Sequence, residues 1–277
     1  MIRKTFSGYR ILQKIGGGPN GVVFRAYDPK NQRDLALKIL PNNFLLTHEK
    51  KARFLREAKA IKLLNHPAIA ALIHAGEFEQ CYFLAMEYVG GDTFGQVIQN
   101  HPHGVPMPMF LDLMLPILDG IALAHDHSIA HRDIKPDNLR LAVDGQPKVL
   151  DFGLAKFLHK RQGSKDSFQT MKGMVLGSAG YMSPEQANGE HLDVRTDIFS
   201  LGILMYELLT GKNPFISTNV FTTITKVLTA TPISVELLRP QIPPKLGEII
   251  FQCLVKNVDQ RLPTARSLYE SLATLKG

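Results

Sequence analysis

The hydrophobic pattern of the chain changes in character at the glycine pair Gly90 and Gly91. Four β-branched or aromatic runs come before this pair and predict strands at residues 9–15, 22–28, 35–40 and 82–88. One helix is predicted among them, because apolar residues recur at spacings of three and four between residues 52 and 61. The same spacing after the pair predicts helices at 110–124, 197–209, 245–254 and 264–275. We therefore predict an α+β chain with a strand-rich part at 1–89 and a helix-rich part at 90–277.

The predicted helix at 110–124 contains Pro116. Proline removes one backbone hydrogen bond from a helix, and its ring clashes with the preceding turn. We therefore expect this helix to be kinked at Pro116 or to start later than its apolar pattern.

The composition of the 277 residues excludes several classes of protein. The net charge of +7, from 32 basic and 25 acidic residues, is too small to indicate a nucleic-acid-binding tail. No apolar run approaches the ~18 uncharged residues that span a bilayer, and residues 1–10 lack the apolar core of a signal peptide. Two isolated cysteines provide neither a disulfide framework nor a zinc cluster. We expect a cytoplasmic chain without a nucleic-acid partner or a membrane span, of undetermined oligomeric state.

A glycine-rich segment contains the first candidate binding residues. Gly16, Gly18 and Gly21 have the spacing G-x-G-x-x-G, which is common to several nucleotide-binding loops. A helix would follow in a dinucleotide-binding fold, whereas Val22 and Val23 favour a strand here. The segment therefore predicts either a hairpin that covers phosphates with its backbone N–H groups or an ordinary glycine hairpin.

The next predicted strand contains Lys38, two residues after Ala36 and on the same face. A lysine there would direct a cation at phosphates, while the small Ala36 leaves room for a flat base. Glu57, in the predicted helix, lies among six basic residues and is a candidate partner for Lys38. The alternative for Lys38 is a solvated side chain at the sheet edge.

Two short motifs indicate the chemistry. Residues 131–138 read HRDIKPDN and contain a general-base candidate, Asp133, a cation, Lys135, and an amide oxygen, Asn138. Residues 151–153 follow as Asp-Phe-Gly. Asn138 and Asp151 provide oxygen ligands of the kind that Mg²⁺ prefers, since this ion takes few protein ligands and completes its shell with phosphates and water.

These motifs, in this order, resemble the signature set of the eukaryotic-type (Hanks-type) serine/threonine protein kinases. The resemblance covers roughly residues 9–272 and is strongest to bacterial members, because of the segments GSAGYMSPEQ at 177–186 and DIFSLG at 197–202. Lys135, two residues after Asp133, is similar to the serine/threonine-specific branch. The resemblance implies a bilobal protein-kinase-like fold, with a small antiparallel-sheet N-lobe that has one main helix and a larger, mostly helical C-lobe.

The resemblance also implies the substrates and a role for each site residue. It implies ATP, protein substrates that carry serine or threonine, and Mg²⁺, with Mn²⁺ as an alternative. Asp133, Lys135 and Lys38 would be catalytic, and Asn138 and Asp151 would hold the metal. The nucleotide site would comprise Ile15, Gly16, Gly17, Gly18, Gly21, Val23, Ala36, Lys38, Glu57, Met86, Glu87, Val89 and Arg140. Within it, Glu57 would hold Lys38, Met86 would be the gatekeeper, and the backbone of 87–89 would bind adenine.

Activation is expected to depend on the segment at residues 154–176, which follows the Asp-Phe-Gly motif. Thr170 lies eight residues before Ser178 and is similar to the autophosphorylated position of bacterial kinases, with Ser167 and Ser164 as weaker candidates. Arg132 is the cation on which such a phosphate would dock. Glu185 and Arg261 are expected to form a structural ion pair.

Three residues depart from the kinase pattern, and two other functions stay open. Arg140 stands where an aliphatic residue normally lies beneath adenine, Ser178 replaces a threonine, and Pro19 stiffens the glycine loop. The arginine would stack on the base, direct its head away from it while its stem packs, or weaken ATP binding. The alternatives to an active kinase are a pseudokinase that binds nucleotide as a scaffold and a small-molecule phosphotransferase. Residues 178–185, which receive the peptide in protein kinases, argue against the latter.

Overall fold

The structure is a computed structural model that describes residues 5–18, 21–41, 47–152 and 176–276. Its first part is a six-stranded antiparallel sheet with the order β1-β2-β3-β4-β6-β5. The strands are β1 (Thr5–Phe6), β2 (Tyr9–Gly18), β3 (Gly21–Asp28), β4 (Arg33–Ile39), β5 (Leu72–Phe78) and β6 (Cys81–Glu87). Helix α1 (His48–Lys62) packs against the sheet next to β5. This part is the predicted small lobe.

The second part is mostly helical, as predicted, and contains the large core of the molecule. Its helices are α2 (Phe94–Asn100), α3 (Met107–Asp126), α4 (Leu176–Ala179), α5 (Pro184–Asn188), α6 (Arg195–Thr210), α7 (Val220–Thr229), α8 (Val235–Leu238), α9 (Pro244–Cys253) and α10 (Ala265–Ala273). A small sheet, β7 (Asp92–Thr93), β8 (Leu139–Leu141) and β9 (Pro147–Val149), lies against α3. A short 3₁₀ turn, Pro136–Asn138, leads into β8.

Two elements lack a clear signal in the sequence. The strand β5 contains Ala75 and Gly76, which have low strand propensity, and is stabilised by pairing along β6. Gly76 packs closely on β6, since a Cβ there would lie 3.3 Å from the Phe83 ring. Helix α7 contains β-branched residues that favour strands, but Asn219 caps it by accepting a hydrogen bond from the Thr222 N–H.

Helix α3 is the central helix of the large lobe. It begins at Met107 and contains Pro116, so of the two expected effects of this proline the delayed start does not occur. The physical reason is packing, because Phe110, Met114 and Ile117 on the predicted stripe are fully buried. By length and composition α3 is also apolar enough to span a membrane, but most of that stretch is buried within the fold.

Candidate active site

The register of the large sheet places the predicted nucleotide-binding side chains on one face. Val23 is opposite Lys38, and Lys38 is opposite Leu84 on the next strand. Two residues along β4, Ala36 is opposite Met86. Directly opposed residues in antiparallel strands share a face, so these five side chains line one surface. Leu35, Leu37 and other buried apolar residues occupy the opposite face and form a separate small core.

The glycine-rich segment forms the predicted hairpin between β2 and β3, with Gly18 opposite Gly21. Gly21 has φ +123°, and a Cβ on it would lie 2.3 Å from the carbonyl oxygen of Ile39. This close approach to β4 gives Gly21 a structural requirement for glycine. Ile15, Gly16, Gly17 and Gly18 lie on the preceding strand of the hairpin. Pro19, at the tip, lies outside the described residues.

The nearly buried ammonium of Lys38 forms an ion pair with the carboxylate of Asp151. The predicted pair between Lys38 and Glu57 is not formed in this structure, which corrects the expectation that Glu57 holds the lysine. Glu57 instead accepts a hydrogen bond of 2.9 Å from Nε of Arg53, one turn earlier in α1. The second carboxylate oxygen of Glu57 is buried and accepts no hydrogen bond from the described residues. In this conformation Asp151, and not Glu57, is the carboxylate that pairs with Lys38.

The predicted catalytic groups of residues 131–138 lie together. Asn138 donates through Nδ2 to the carbonyl oxygen of Asp133 at 2.7 Å and to its carboxylate at 3.0 Å. Lys135 Nζ lies 3.4 Å from the same carboxylate and 3.2 Å from Oγ of Ser178. The serine that replaces the usual threonine therefore contacts Lys135, the lysine predicted to be catalytic. The half-buried Asp133 carboxylate therefore has the Lys135 ammonium and the Asn138 amide N–H as close neighbours.

The two predicted metal ligands lie at the ends of adjacent strands. Strand β8 pairs with β9, and the Leu150 N–H, next to Asp151, donates to the Asn138 carbonyl oxygen at 2.8 Å. Because Nδ2 of Asn138 is used by Asp133, its Oδ1 is the atom left to bind a metal. An amide oxygen and a carboxylate are hard ligands, so this donor set fits a small divalent cation whose shell is completed by phosphates and water.

A buried carboxylate anchors the segment at 131–138, and sequence reasoning assigned it no role beyond its place in the kinase pattern. Asp197 in α6 is fully buried and accepts hydrogen bonds from the His131 N–H at 2.6 Å and the Arg132 N–H at 2.7 Å. It also contacts Nε2 of His125 at 2.9 Å. Burial acts to raise the pKa of Asp197, but the His125 contact and the backbone donors hold that pKa below its ordinary value. An acidic residue inside a very apolar helix was the available signal.

The three histidines at 125–131 each contact a neighbouring group of the protein. His131 is fully buried, contacts the Leu150 carbonyl oxygen at 2.8 Å and packs on the Phe152 ring at 4.8 Å. His127 contacts the carbonyl oxygen of Leu123. Among the described residues there is no group of three His, Cys, Asp or Glu side chains placed to hold a metal.

Glu87, at the connection between the lobes, contacts both Lys148 of the large lobe and the backbone of Ala71 just before β5. The Glu87 carboxylate pairs with Lys148 of β9 at 2.7 Å, and the Glu87 N–H donates to the Ala71 carbonyl oxygen at 2.8 Å. Met86 faces a small cavity behind the sheet that Phe152 and other apolar side chains also line. Val89 is buried at the end of this connection. Met86 and residues 87–89 therefore lie at the connection between the lobes, and their contact with adenine stays a prediction.

Comparisons with known proteins agree with this geometry. A family model described as the protein kinase domain matches residues 9–272. The chain belongs to the protein kinase family. The serine/threonine-protein kinase PrkC of Bacillus subtilis is 36% identical over 275 residues, which are 99% of this chain and 41% of that protein. The probable serine/threonine-protein kinase PknB of Lactococcus lactis is 34% identical over 276 residues, 99% of this chain and 43% of that protein.

The kinase chain thus spans about two fifths of the length of these bacterial relatives. Among solved structures, the PknI kinase domain of Mycobacterium tuberculosis superposes with a TM-score of 0.75 at 24% sequence identity. That match covers 98% of this chain and 97% of the other. The bilobal kinase fold implied by the sequence is therefore confirmed.

Arg140 is the clearest departure of this kinase from its family pattern. Its Nη1 donates to the Gly91 carbonyl oxygen at 2.6 Å. Gly91 has φ +96°, and a Cβ there would lie 2.2 Å from the Leu141 carbonyl oxygen. Of the expected arrangements, the structure shows the one in which the charged head turns to the connection between the lobes.

The segment that follows the catalytic residues is fixed on the large lobe of the kinase. Tyr181 donates its hydroxyl to the half-buried Glu207 carboxylate, and its carbonyl oxygen accepts a 2.8 Å hydrogen bond from Ser200. Glu185 pairs with Arg261 through two hydrogen bonds of 2.8 and 3.1 Å, and both residues are buried. The predicted structural ion pair is therefore present.

Several predicted residues lie outside the described part of the kinase chain: Gly153, Ser164, Ser167 and Thr170. Their roles stay predictions. Arg132, the predicted phosphate-docking residue, is described and half-buried, with φ +65°. Burial lowers the pKa of its guanidinium, while the nearby carboxylates of Asp197 and Glu57 act to raise it. This position places a cation between the catalytic segment and α1.

Proposed function

We propose that this kinase chain transfers the γ-phosphoryl group of ATP to serine or threonine hydroxyls of proteins. The observation that supports the proposal is the convergence of Asp133, Lys135, Asn138 and Asp151 from the large lobe with Lys38 from the small lobe. Lys38 and Asp151 are 113 residues apart in the sequence. Their contact brings a cation from the sheet to a candidate metal ligand from the large lobe.

In the proposed reaction the protein forms no covalent intermediate. It accelerates phosphoryl transfer by positioning the reactants and by stabilising charge. Asp133 orients the substrate hydroxyl and accepts its proton as the new bond between oxygen and phosphorus forms. The bond between the γ-phosphorus and the bridging oxygen breaks, and ADP leaves with that electron pair. Lys135 offsets charge on the transferring group, and Ser178 keeps the lysine at 3.2 Å.

A divalent cation belongs to the proposed function, with Mg²⁺ favoured over Mn²⁺. When bound, the ion neutralises charge on the phosphates. Asn138 Oδ1 and the Asp151 carboxylate would hold it. Asp151 now pairs with Lys38, so binding of the metal and nucleotide has to replace this contact. Comparing activity with each ion in turn tests the preference.

Activation by autophosphorylation is the finer part of the proposal. Arg132 lies close enough to Glu57 and Asp197 for their charges to affect it. We infer that phosphate on Thr170 docks on the cation of Arg132, which lies near α1. Thr170→Ala should lower activity and remove phosphate detected by mass spectrometry, whereas Thr229→Ala, an exposed threonine of α7, should change neither. Full activity of Thr170→Ala without phosphate at that residue contradicts this step.

The central test is transfer of label from γ-labelled ATP in the presence of Mg²⁺, with the purified chain alone and with dephosphorylated casein. We expect label on protein serine or threonine with the unaltered chain and none with Asp133→Asn. Asp144→Asn, in an exposed turn, is the matched control and should remain active. Nucleotide binding without transfer by the unaltered chain would instead identify a pseudokinase scaffold. The fixed segment around Tyr181 and Glu185 favours a protein substrate over a small molecule.

A further inference from the structure

The large lobe contains a groove that the proposed phosphotransfer does not use. It is a cavity of about 340 Å³ between the C-terminal end of α6, the segment at 232–236 and helix α9. Two apolar side chains at its edge, Ile233 and Phe251, are 60% and 54% exposed. We call it the α8–α9 groove. A concave surface with exposed apolar walls is typical of an interaction site.

Two buried polar atoms of residues that line the groove lack hydrogen-bond partners among the described residues. One carboxylate oxygen of Glu236 and the hydroxyl of Ser234 are buried and make no hydrogen bond with the described residues. A buried polar atom without a partner costs roughly 1–3 kcal/mol, and more when it is charged. These atoms therefore favour a ligand that brings hydrogen-bond donors into the groove.

Helix α9 makes room for this carboxylate. A Cβ on Gly247 would lie 2.1 Å from Oε2 of Glu236, so a side chain there is incompatible with the present position of the carboxylate. Glycine inside a helix costs about 1 kcal/mol relative to alanine. Gly247 therefore lowers the stability of α9 at the position where the Glu236 carboxylate packs against this helix.

The charge of the α8–α9 groove is opposite to that of the whole chain. Its described lining includes Glu236 and Glu248 and no lysine or arginine, whereas the full chain has a net charge of +7. A local acidic site with low-dielectric apolar walls attracts cations. An uncharged acyl chain would fill the apolar walls but leave the Glu236 carboxylate unpaired.

We propose that the α8–α9 groove docks a short segment of a partner protein in which a lysine or arginine lies beside a bulky apolar residue. The cation pairs with Glu236, with Glu248 adding to the attraction, and the apolar side chain packs between Ile233 and Phe251. Ser234 adds a hydroxyl that pairs with the backbone of the docked segment. The proposal does not depend on the proposed phosphotransfer.

The test is selection of random twelve-residue peptides, displayed on phage, against the immobilised purified chain. We expect enriched peptides that share a lysine or arginine within four residues of leucine, isoleucine, methionine or phenylalanine. A synthetic peptide of that consensus, measured by fluorescence anisotropy, should bind at least about tenfold more weakly to Glu236→Gln, since a charge-assisted hydrogen bond contributes roughly 1.5–3 kcal/mol. Ile233→Ser should also weaken binding, and Glu270→Gln, an exposed glutamate of α10, should leave it unchanged.

Other outcomes overturn the proposal. These are no enriched peptide, a consensus without a cation, or binding that is equal for Glu236→Gln and the unaltered chain. Sedimentation of the free chain tests a second copy as the occupant. Self-association that Ile233→Ser abolishes would assign the groove to a dimer and contradict the partner segment. Thermal unfolding of each variant shows that lost binding is not lost folding.

Discussion

Asn138 donates through one amide nitrogen to both the backbone carbonyl oxygen and the carboxylate of Asp133, at 2.7 and 3.0 Å. The side chain that is proposed to offer an oxygen to the metal thus also orients the proposed base. Its Nδ2 donates to Asp133, while its Oδ1 is available to a metal ion. An amide side chain provides both a donor and an acceptor, which a carboxylate does not. The relationship makes Asn138→Asp more informative than a truncation.

In Asn138→Asp, a second carboxylate faces Asp133 while the metal-ligating oxygen is retained. Like charges at this distance raise the pKa of one of the two carboxyl groups. We expect kcat/KM to fall about tenfold or more at neutral pH, and its acid limb to move to higher pH at saturating Mg²⁺. An acid limb identical to that of the unaltered chain would contradict this orientation, and Asn100→Asp, an exposed position at the end of α2, is the control.

The anchoring of the catalytic segment by Asp197 predicts a coupled loss of stability and activity. Asp197→Asn replaces an oxygen that accepts backbone hydrogen bonds with an amide donor, inside a fully buried site. We expect a loss of about 3 kcal/mol in urea unfolding, since breaking a buried polar pair costs roughly 3–5 kcal/mol, together with weak phosphotransfer. His125→Asn should be destabilising as well, whereas His127→Asn, at an exposed site, should be close to neutral. Full stability of Asp197→Asn is the contrary result.

The buried pair of Glu185 and Arg261 predicts how stability depends on pH. Burial acts to raise the pKa of Glu185, but the hydrogen bonds and charge of Arg261 hold it below the ordinary value. A lowered native pKa means that the pair stabilises the fold above the unfolded pKa, about 4.3, and that this stability is lost as pH falls further. Denaturant unfolding from pH 6 to 3 should show this loss, and Glu185→Gln should have a shallower acid slope but lower stability at pH 7. An equal slope in both proteins would be inconsistent with the pair.

Arg140 predicts a separation of stability from nucleotide affinity. Its guanidinium is engaged by the Gly91 carbonyl oxygen at 2.6 Å, so it is not free to stack on adenine. We expect Arg140→Leu to change the Kd for ATP by less than about threefold and to lower the free energy of unfolding by about 1 kcal/mol, the usual contribution of one hydrogen bond. Calorimetric titration and urea unfolding measure the two quantities. A tenfold change in Kd would instead indicate that the guanidinium contacts the base.

Much of the fold was predictable, because the strands at 9–15, 22–28 and 82–88 and the helix at 197–209 carry strong local patterns that tertiary packing reinforces. Strand β5 and helix α7 were not predicted. Their residues have low or contrary propensity, and pairing with β6 and capping by Asn219 compensate. The catalytic motif was predictable for a different reason, since Asp133, Lys135 and Asn138 lie within six residues and one short turn brings them together.

By itself, the sequence determined which chemical groups are present, their order, and the family whose pattern they match. Tertiary structure alone decided the pairings: Lys38 with Asp151 rather than Glu57, Arg140 with Gly91, Asp197 with the catalytic backbone, and Gly247 with the Glu236 carboxylate. Periodicity assigns a side chain to a face of its own helix or strand. It contains no information on which of several oppositely charged groups lies within 3 Å, because that distance depends on how separate elements pack.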